Sequence, residues 1–332
     1  MVNIDNIRGV AHQKVELASI DDFPGPYCMS FGFDLGPLVR SLEGAGLLNP
    51  PLLTGDENGR FTIVAGYRRI KALKQMKVDT ATCRIIPVDE IPPAECLLMN
   101  LYDNLGVREL NPVEKGMALT RLNCWFSTEE IVDQYMALLG LPPNRATLSS
   151  YLRFEEKMEI QAKEAVALGR LSFRNAMLLA DLDPVSRSAL VDLMSNLKFT
   201  ISQQAHIIDY VTDLALIEGE TIPEVLSDSR VRAIVGDSLM NKPQKGRRLI
   251  SYLRRRRMPR LSKAEKDFRK VVADLNLDKM VRIEHPPFFE SPFYRLEVLF
   301  RDGQSLREKL EKLMSEDLEK IGDPWKDNGR GD

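Results

Sequence analysis

Two short segments carry residue types that bind a phosphate group and its metal. The first, Gly66-Tyr67-Arg68-Arg69, follows the β-branched and aromatic run Phe61–Ala65 and precedes apolar residues at helical spacing. A glycine at such a strand-to-helix corner leaves unpaired backbone N–H groups at the positive helix end, where an anion is stabilised. Arg68 and Arg69 would add charge-assisted hydrogen bonds to phosphate oxygens. A turn glycine followed by solvated arginines would give the same pattern.

The second segment begins with an acid and an amide, Asp103 and Asn104, at the end of an apolar helical run. Asn111 and Pro112 then predict a helix start, and Glu114 lies three residues after the cap, as in a capping box. The cap explains these three residues but not Asp103 and Asn104. Carboxylate and amide oxygens suit Mg²⁺, which binds one or two carboxylates together with substrate phosphates. The two segments therefore predict a site for a triphosphate and its metal.

In this order and separation, the segments resemble the nucleotide-binding domain of the ParB family of bacterial DNA-partition proteins. The family patterns read Gly-Glu-Arg-Arg-x-x-Ala and Glu-Asn-x-x-Arg-x-x-Leu-x-Pro-x-Glu. The resemblance implies a domain that binds CTP with Mg²⁺, hydrolyses it slowly and uses it to close two subunits around DNA as a sliding clamp. It implies that the cofactor is bound by Gly66, Arg68, Arg69, Asn104 and Arg108. It also implies that Asp103 and Asn104 lie at the metal, with Asp103 in the position of the acid needed for hydrolysis.

The chain departs from the family pattern at several of these positions. Tyr67 replaces a glutamate, and Asp103 is one methylene shorter than the family's glutamate. A shorter carboxylate still binds metal, but displacing an attacking water by about 1 Å costs about a hundredfold in rate. Slow CTP hydrolysis therefore stays open, whereas nucleotide binding is expected.

The chain's charge is unevenly distributed. A net charge of −2 on 332 residues argues against a uniformly basic, nucleic-acid-coating protein, yet positions 238–264 hold ten bases and no acid. Such a stretch favours contact with phosphate backbones, although a solvated face is the alternative. We assign four of its arginines to DNA: Arg254, Arg255, Arg256 and Arg257.

A helix-turn-helix is predicted within a region, residues 112–235, that carries helical patterns throughout. Ser127 begins a capping box for a helix that ends at Gly140, and Asn144 caps a second helix after a proline-containing turn. The second helix of such a unit enters the major groove with its first residues at base edges. The segments that follow also resemble the ParB DNA-binding domain, although any helical hairpin shares the local pattern. The candidate recognition residues are Arg145, Thr147, Ser149 and Ser150, with Arg174 in support.

A β-β-α unit closes the chain. Two runs of alternating polarity, 280–284 and 294–300, precede leucines at helical spacing. A unit of about fifty-five residues has a thin core, so pairing with a second copy would stabilise it. The unit resembles the ParB C-terminal dimerisation domain, and packing onto the helical domain is the alternative.

The predicted fold class is α+β with several domains. We expect a small mixed α/β nucleotide-binding domain at 1–111, an all-α helix-turn-helix domain at 112–236, a basic linker at 237–262, a β-β-α dimerisation domain at 263–322 and a disordered tail at 323–332.

The predicted function is that of a dimeric, site-specific DNA-binding protein with a CTP switch in chromosome or plasmid partition. Its expected ligands and partners are CTP, Mg²⁺, a centromere-like or operator duplex and a second copy. A ParA-type ATPase partner follows only from the family, because the start lacks the basic, glycine-containing tail that stimulates ParA. The alternatives are a ParB-like transcriptional or nucleoid regulator with a degenerate pocket and, favoured least, a ParB-type nuclease.

Localisation and metal content follow from what the sequence lacks. It has no apolar stretch of about eighteen residues and no signal-like start, so we expect a cytoplasmic, nucleoid-associated protein with no membrane partner. Four cysteines without Cys-x-x-Cys spacing and three scattered histidines predict no zinc site.

Overall fold

The protein has a mixed α+β architecture, which confirms the predicted fold class. The computed structural model describes residues 10–21, 23–55, 59–87 and 90–325. Its backbone contacts divide the chain into two compact units, Met1–Ile208 and Asp209–Asp332. Within the described ranges, no helix has the length and hydropathy needed to cross a bilayer.

A four-stranded mixed sheet organises the first part of unit 1. Strands β1 (Ala11–Glu16), β2 (Leu52–Gly55), β3 (Phe61–Ala65) and β4 (Thr80–Ile86) lie in the order β1-β4-β2-β3. Strand β2 runs parallel to β4, and the other pairs are antiparallel.

The sheet is covered on both faces because side chains alternate along its strands. On β3, Ile63 belongs to one apolar cluster and Val64 to another. The Ile63 cluster includes residues of α1 (Gly36–Ala45) and α2 (Tyr67–Gln75), whereas the Val64 cluster includes residues of α3 (Pro93–Leu105).

Helices fill the rest of unit 1, and their starts follow the predicted caps. Asn111 and Ser127 each form a capping box, and the Asn144 side chain accepts a hydrogen bond from the Thr147 backbone N–H. The helices are α4 (Pro112–Leu122), α5 (Thr128–Glu130) with a π-helical continuation (Ile131–Tyr135), α6 (Arg145–Lys157), α7 (Ile160–Ala167), α8 (Phe173–Leu179), α9 (Pro184–Asn196) and α10 (Ile201–Glu218), which runs into unit 2.

Unit 2 contains four further helices and the predicted β-β-α element. The helices are α11 (Ile222–Leu226), α12 (Ser229–Gly236), α13 (Lys242–Arg257) and α14 (Pro259–Asp274). Strands β5 (Val281–Glu284) and β6 (Arg295–Val298) pair antiparallel, and α15 (Gly303–Met314) follows them.

Three observations bear on the expected organisation of the chain, which stays a prediction. The predicted basic linker is helical along most of its length, in α13 and the start of α14, because arginine is a good helix former and no glycine or proline interrupts residues 247–258. The division into compact units falls after Ile208, within α10, rather than at 236.

The third observation concerns the tail expected to be disordered from 323. The Trp325 indole N–H donates to the Phe289 carbonyl, and its ring packs edge-on against the Phe289 ring. This contact fixes the start of the predicted tail, whereas residues 326–332 lie outside the described ranges.

Candidate functional site

Gly66 forms the predicted strand-to-helix corner between β3 and α2. Its φ of 94° lies in the left-handed region, which favours glycine. A Cβ atom there would lie 3.1 Å from both Cα and Cβ of Pro51 and from Nε of Arg69. The corner therefore requires glycine for its backbone conformation and for the close approach of the Pro51 segment.

A cavity of about 1000 Å³ opens at this corner. It brings together all six residues predicted to bind the nucleotide and its metal: Gly66, Arg68, Arg69, Asp103, Asn104 and Arg108. Leu38, Met99, Tyr102 and Val107 supply apolar lining. Such a cavity, apolar with a few convergent polar groups, has the size and character of a site for a small ligand.

The charge of the cavity favours an anion. Its described lining residues include four arginines, Arg68, Arg69, Arg84 and Arg108, against one carboxylate, Asp103. Burial lowers the pKa of Arg68, the nearby charge of Arg108 lowers it further, and Glu114 opposes both effects. Burial also lowers the pKa of Arg69, whereas the negative charge of Asp103 raises it. Because arginine stays protonated in proteins, these are partly desolvated cations, and a polyanion would stabilise them.

Arg68 and Arg108 share a buried partner, Glu114. One carboxylate oxygen accepts from Nη2 of Arg68 at 2.7 Å, and the other accepts from Nη1 of Arg108 at 2.6 Å. The Ser30 hydroxyl accepts weaker hydrogen bonds from both arginines, at 3.3 and 3.4 Å. Glu114 itself is 1% exposed. The sequence assigned this residue to a helix cap alone, so its link to the cavity was missed.

Asp103 and Asn104 lie in the last turn of α3 and have different roles. The Asp103 side chain is 49% exposed, and it accepts a hydrogen bond from Arg69 at 3.4 Å. The Asn104 amide is engaged within the protein, because its oxygen accepts from Nε of Arg108 and its nitrogen donates to Asn100. Asp103 is therefore the more accessible candidate ligand for a cation.

The donor set fits Mg²⁺ bound together with phosphates. Among the described residues, no group of three or more His, Cys, Asp or Glu side chains converges to hold a metal alone. Magnesium commonly uses one or two carboxylates and takes its other ligands from phosphate and water. With a triphosphate in the cavity, Asp103 would supply the protein carboxylate that this arrangement needs.

Part of the chain is similar to known proteins. Residues 32–105, which include five of the six predicted ligand-binding residues, match the family model of the ParB N-terminal domain. The chain is 26% identical over 188 residues to the probable chromosome-partitioning protein ParB of Campylobacter jejuni, a match covering 56% of this chain and 64% of that protein. It is 31% identical over 149 residues to the Pseudomonas putida protein of the same name, covering 45% and 49%. The chain thus contains a segment that matches the ParB N-terminal domain.

The similarity to ParB proteins covers part of the chain. The chain covers only 49% to 64% of the length of these two relatives. A solved structure of C-terminally truncated ParB from Caulobacter crescentus complexed with CTP-gamma-S is 20% identical, covers 55% of this chain and 98% of its own, and aligns with a TM-score of 0.26. So low a score carries no argument about the site.

The predicted recognition residues lie at the start of α6 and on α8. Arg145 and Ser149, one helical turn apart, are both exposed, as is Arg174 on α8. Thr147 and Ser150 are half-buried, and the Ser150 hydroxyl donates to the Ala146 carbonyl. The Arg145 side chain is 74% exposed and pairs with Glu129 at the start of the preceding helix. DNA contact by these residues stays a prediction.

The four predicted DNA-binding arginines of α13 do not share one environment. Arg254 forms two hydrogen bonds to Glu265, Arg256 pairs with Glu218 and Glu220, and Arg257 pairs with Asp213. Arg255 is exposed, and its Nε donates to the Ser251 carbonyl. Acids elsewhere in unit 2 thus occupy three arginines that the sequence assigned to DNA, and their contact with DNA stays a prediction.

Proposed function

We propose that this chain is a site-specific DNA-binding protein of chromosome or plasmid partition, whose N-terminal domain binds CTP with Mg²⁺ and thereby switches a dimeric clamp. The observation that carries the proposal is the single cavity in which Gly66, Arg68, Arg69, Asp103, Asn104 and Arg108 meet. Cytosine specificity and the clamp come from the ParB family, and the names of the Campylobacter and Pseudomonas relatives support the role in partition.

The arrangement supports a division of labour in the cavity. The backbone at Gly66 and the cations of Arg68, Arg69 and Arg108 would hold the phosphates. Asp103 would hold the Mg²⁺ ion, which neutralises phosphate charge and orients the triphosphate when bound. DNA reading belongs to the helix-turn-helix of α5 and α6, on which Arg145 and Ser149 are exposed.

Equilibrium dialysis against CTP, UTP, ATP and GTP, with and without Mg²⁺, tests the proposal. We expect the wild-type chain to retain CTP preferentially. Gly66→Ser should weaken retention by more than about tenfold, because the new side chain meets Pro51 at a strained backbone position.

A matched glycine controls for backbone strain alone. Gly169 also has a positive φ, 68°, but nothing lies within 4 Å of a Cβ atom built there. Gly169→Ser should therefore leave CTP retention unchanged. Retention of no nucleotide by the wild-type chain, under any of these conditions, would refute the CTP switch.

A further inference from the structure

Glu114 is more completely engaged than its capping role requires. Its Oε1 accepts hydrogen bonds from Nη2 of Arg68 and from the Phe31 backbone N–H. Its Oε2 accepts hydrogen bonds from Nη1 of Arg108 and from the Asn111 backbone N–H. A buried carboxylate is stable only when it is paired and hydrogen-bonded, and here two cations and two backbone donors meet that need.

Two other glutamates in the chain show what a capping box alone requires. Glu130 and Glu224 occupy the same third helical position in capping boxes begun by Ser127 and Thr221. Both are exposed, and each accepts hydrogen bonds from its own cap residue. A capping box therefore needs neither burial nor paired arginines, so the contacts of Glu114 to Arg68 and Arg108 require a separate explanation.

We propose that Glu114 is a positioning residue for the triphosphate, which holds the guanidinium groups of Arg68 and Arg108 side by side in the cavity. The two guanidinium groups are both positively charged, so they repel each other when both are hydrogen-bonded to one carboxylate. The negative charge of Glu114 offsets this repulsion before any ligand binds. A preorganised pair of cations then costs little to arrange when phosphates bind. This inference rests on the proposed nucleotide site.

The same carboxylate links the cavity to the helical part of unit 1. Glu114 lies in the first turn of α4, and Gly116 of that helix packs so closely on α6 that a Cβ atom would lie 2.9 Å from Oε1 of Glu155. Glu114 thus contacts both cavity arginines and belongs to the helix that packs on α6, the candidate recognition helix.

Affinities for CTP and CMP, measured by calorimetry on the full chain, test the inference. In wild-type protein, Arg68 and Arg108 each donate to a different oxygen of Glu114. Glu114→Gln has only one acceptor oxygen, so at least one of the two arginines loses its partner. We expect CTP to bind at least about tenfold more weakly, because hydrogen bonds between charged groups are the strong ones. CMP, with one phosphate, should lose less than about threefold. The control variants Glu130→Gln and Glu224→Gln should match the wild type for both nucleotides.

A purely structural role would weaken CTP and CMP binding equally, and that result, or unchanged CTP binding, would overturn the inference. A second test places Glu114→Gln in an Arg68→Ala/Arg108→Ala background. If Glu114 acts through these arginines, it causes no further loss there, whereas an additive loss contradicts the inference.

Two controls keep the result interpretable. If circular dichroism shows that Glu114→Gln does not fold, Glu114→Asp keeps the charge but shortens its reach, and the ratio of CTP to CMP affinity should still fall. An unchanged ratio would overturn the inference. A wild-type chain that binds no nucleotide would overturn the proposed function with it, whereas nucleotide binding that is equal in both proteins overturns this inference alone.

Discussion

At the scale of single residues, the cavity is built from side chains whose functional atoms are held by other parts of the protein. The Arg69 guanidinium donates to the Asn49 and Pro50 carbonyls and to Asp103, so it is fixed between the segment before β2 and the end of α3. The Asn104 amide is fixed between Asn100 and Arg108. Rotamers locked in this way reduce the entropy that a ligand must remove on binding.

Asp103 should govern the metal-dependent part of nucleotide binding. Asp103 is the one carboxylate among the described residues that line the cavity. Asp103→Asn therefore removes the negative charge that would face Mg²⁺. We expect CTP affinity without Mg²⁺ to change by less than about threefold and the Mg²⁺-dependent gain to be lost. Phosphate release in the presence of DNA, where the wild type shows it, should fall by about a hundredfold.

Glu109 provides the control for Asp103. It is exposed, lies six residues along the chain and does not line the cavity, so Glu109→Gln removes the same charge from the same region. Dialysis at several Mg²⁺ concentrations separates the two variants. An Asp103→Asn protein with the wild-type Mg²⁺ dependence would exclude this residue as the metal ligand.

At the scale of elements, the sequence predicted those features that depend on neighbouring residues. The caps at Asn111, Ser127 and Asn144 involve contacts within three positions, and all were correctly predicted. The pairing of Arg68 with Glu114 joins residues 46 positions apart, and no local sequence pattern predicts it. The capping box also explained why a glutamate lies at position 114, so nothing in the sequence gave a reason to predict its contacts with the cavity arginines.

The α13 helix shows a similar limit. Charge density along the sequence indicated a phosphate-binding stretch, but which arginines remain exposed depends on carboxylates supplied by α10, α14 and the segment between α10 and α11. The exposed arginines, Arg247, Arg248 and Arg255, fall on one face at spacings of one, seven and eight residues. A helix can therefore be basic in sequence while only one of its faces is free for DNA.

Two triple variants of α13 separate these faces. Replacing Arg247, Arg248 and Arg255 with alanine should weaken binding to a nonspecific duplex and reduce the slope of log affinity against log salt by up to about 3. The melting temperature should not change, because these side chains are exposed.

The internal set, Arg254, Arg256 and Arg257, should behave in the opposite way. Its replacement by alanine leaves the half-buried carboxylates of Glu265 and Glu218 without partners and should destabilise unit 2 by about 2 kcal/mol or more. Thermal melts and a salt titration of DNA affinity on both triple variants check the assignment. If the internal set alone changed the salt slope, the two faces would have been assigned the wrong way round.

At the scale of the whole molecule, the β-β-α element near the C-terminus has too small a hydrophobic core to be stable by itself. Its sheet has two strands, and such a sheet is marginal unless something packs on it. Val281 and Ile283 pair across the sheet with Val298 and Leu296, so these four apolar side chains share one face. Val281 is 8% exposed, but Leu296 is 48% exposed. A second copy is the partner that the ParB family implies for this face.

Leu296→Glu should therefore dissociate the proposed dimer. A charge placed at a paired apolar face loses water on association, which should raise the dimer dissociation constant by about a hundredfold or more. Arg295→Glu places a carboxylate on the same strand but on the opposite face, with a charge change of two units instead of one, and it should leave the proposed dimer intact. Sedimentation velocity over a range of concentrations measures both variants. Equal dissociation of the two would indicate a general charge effect. A Leu296→Glu chain that remains dimeric would place the interface on another surface, and the proposed clamp would then have to close through a different part of the protein.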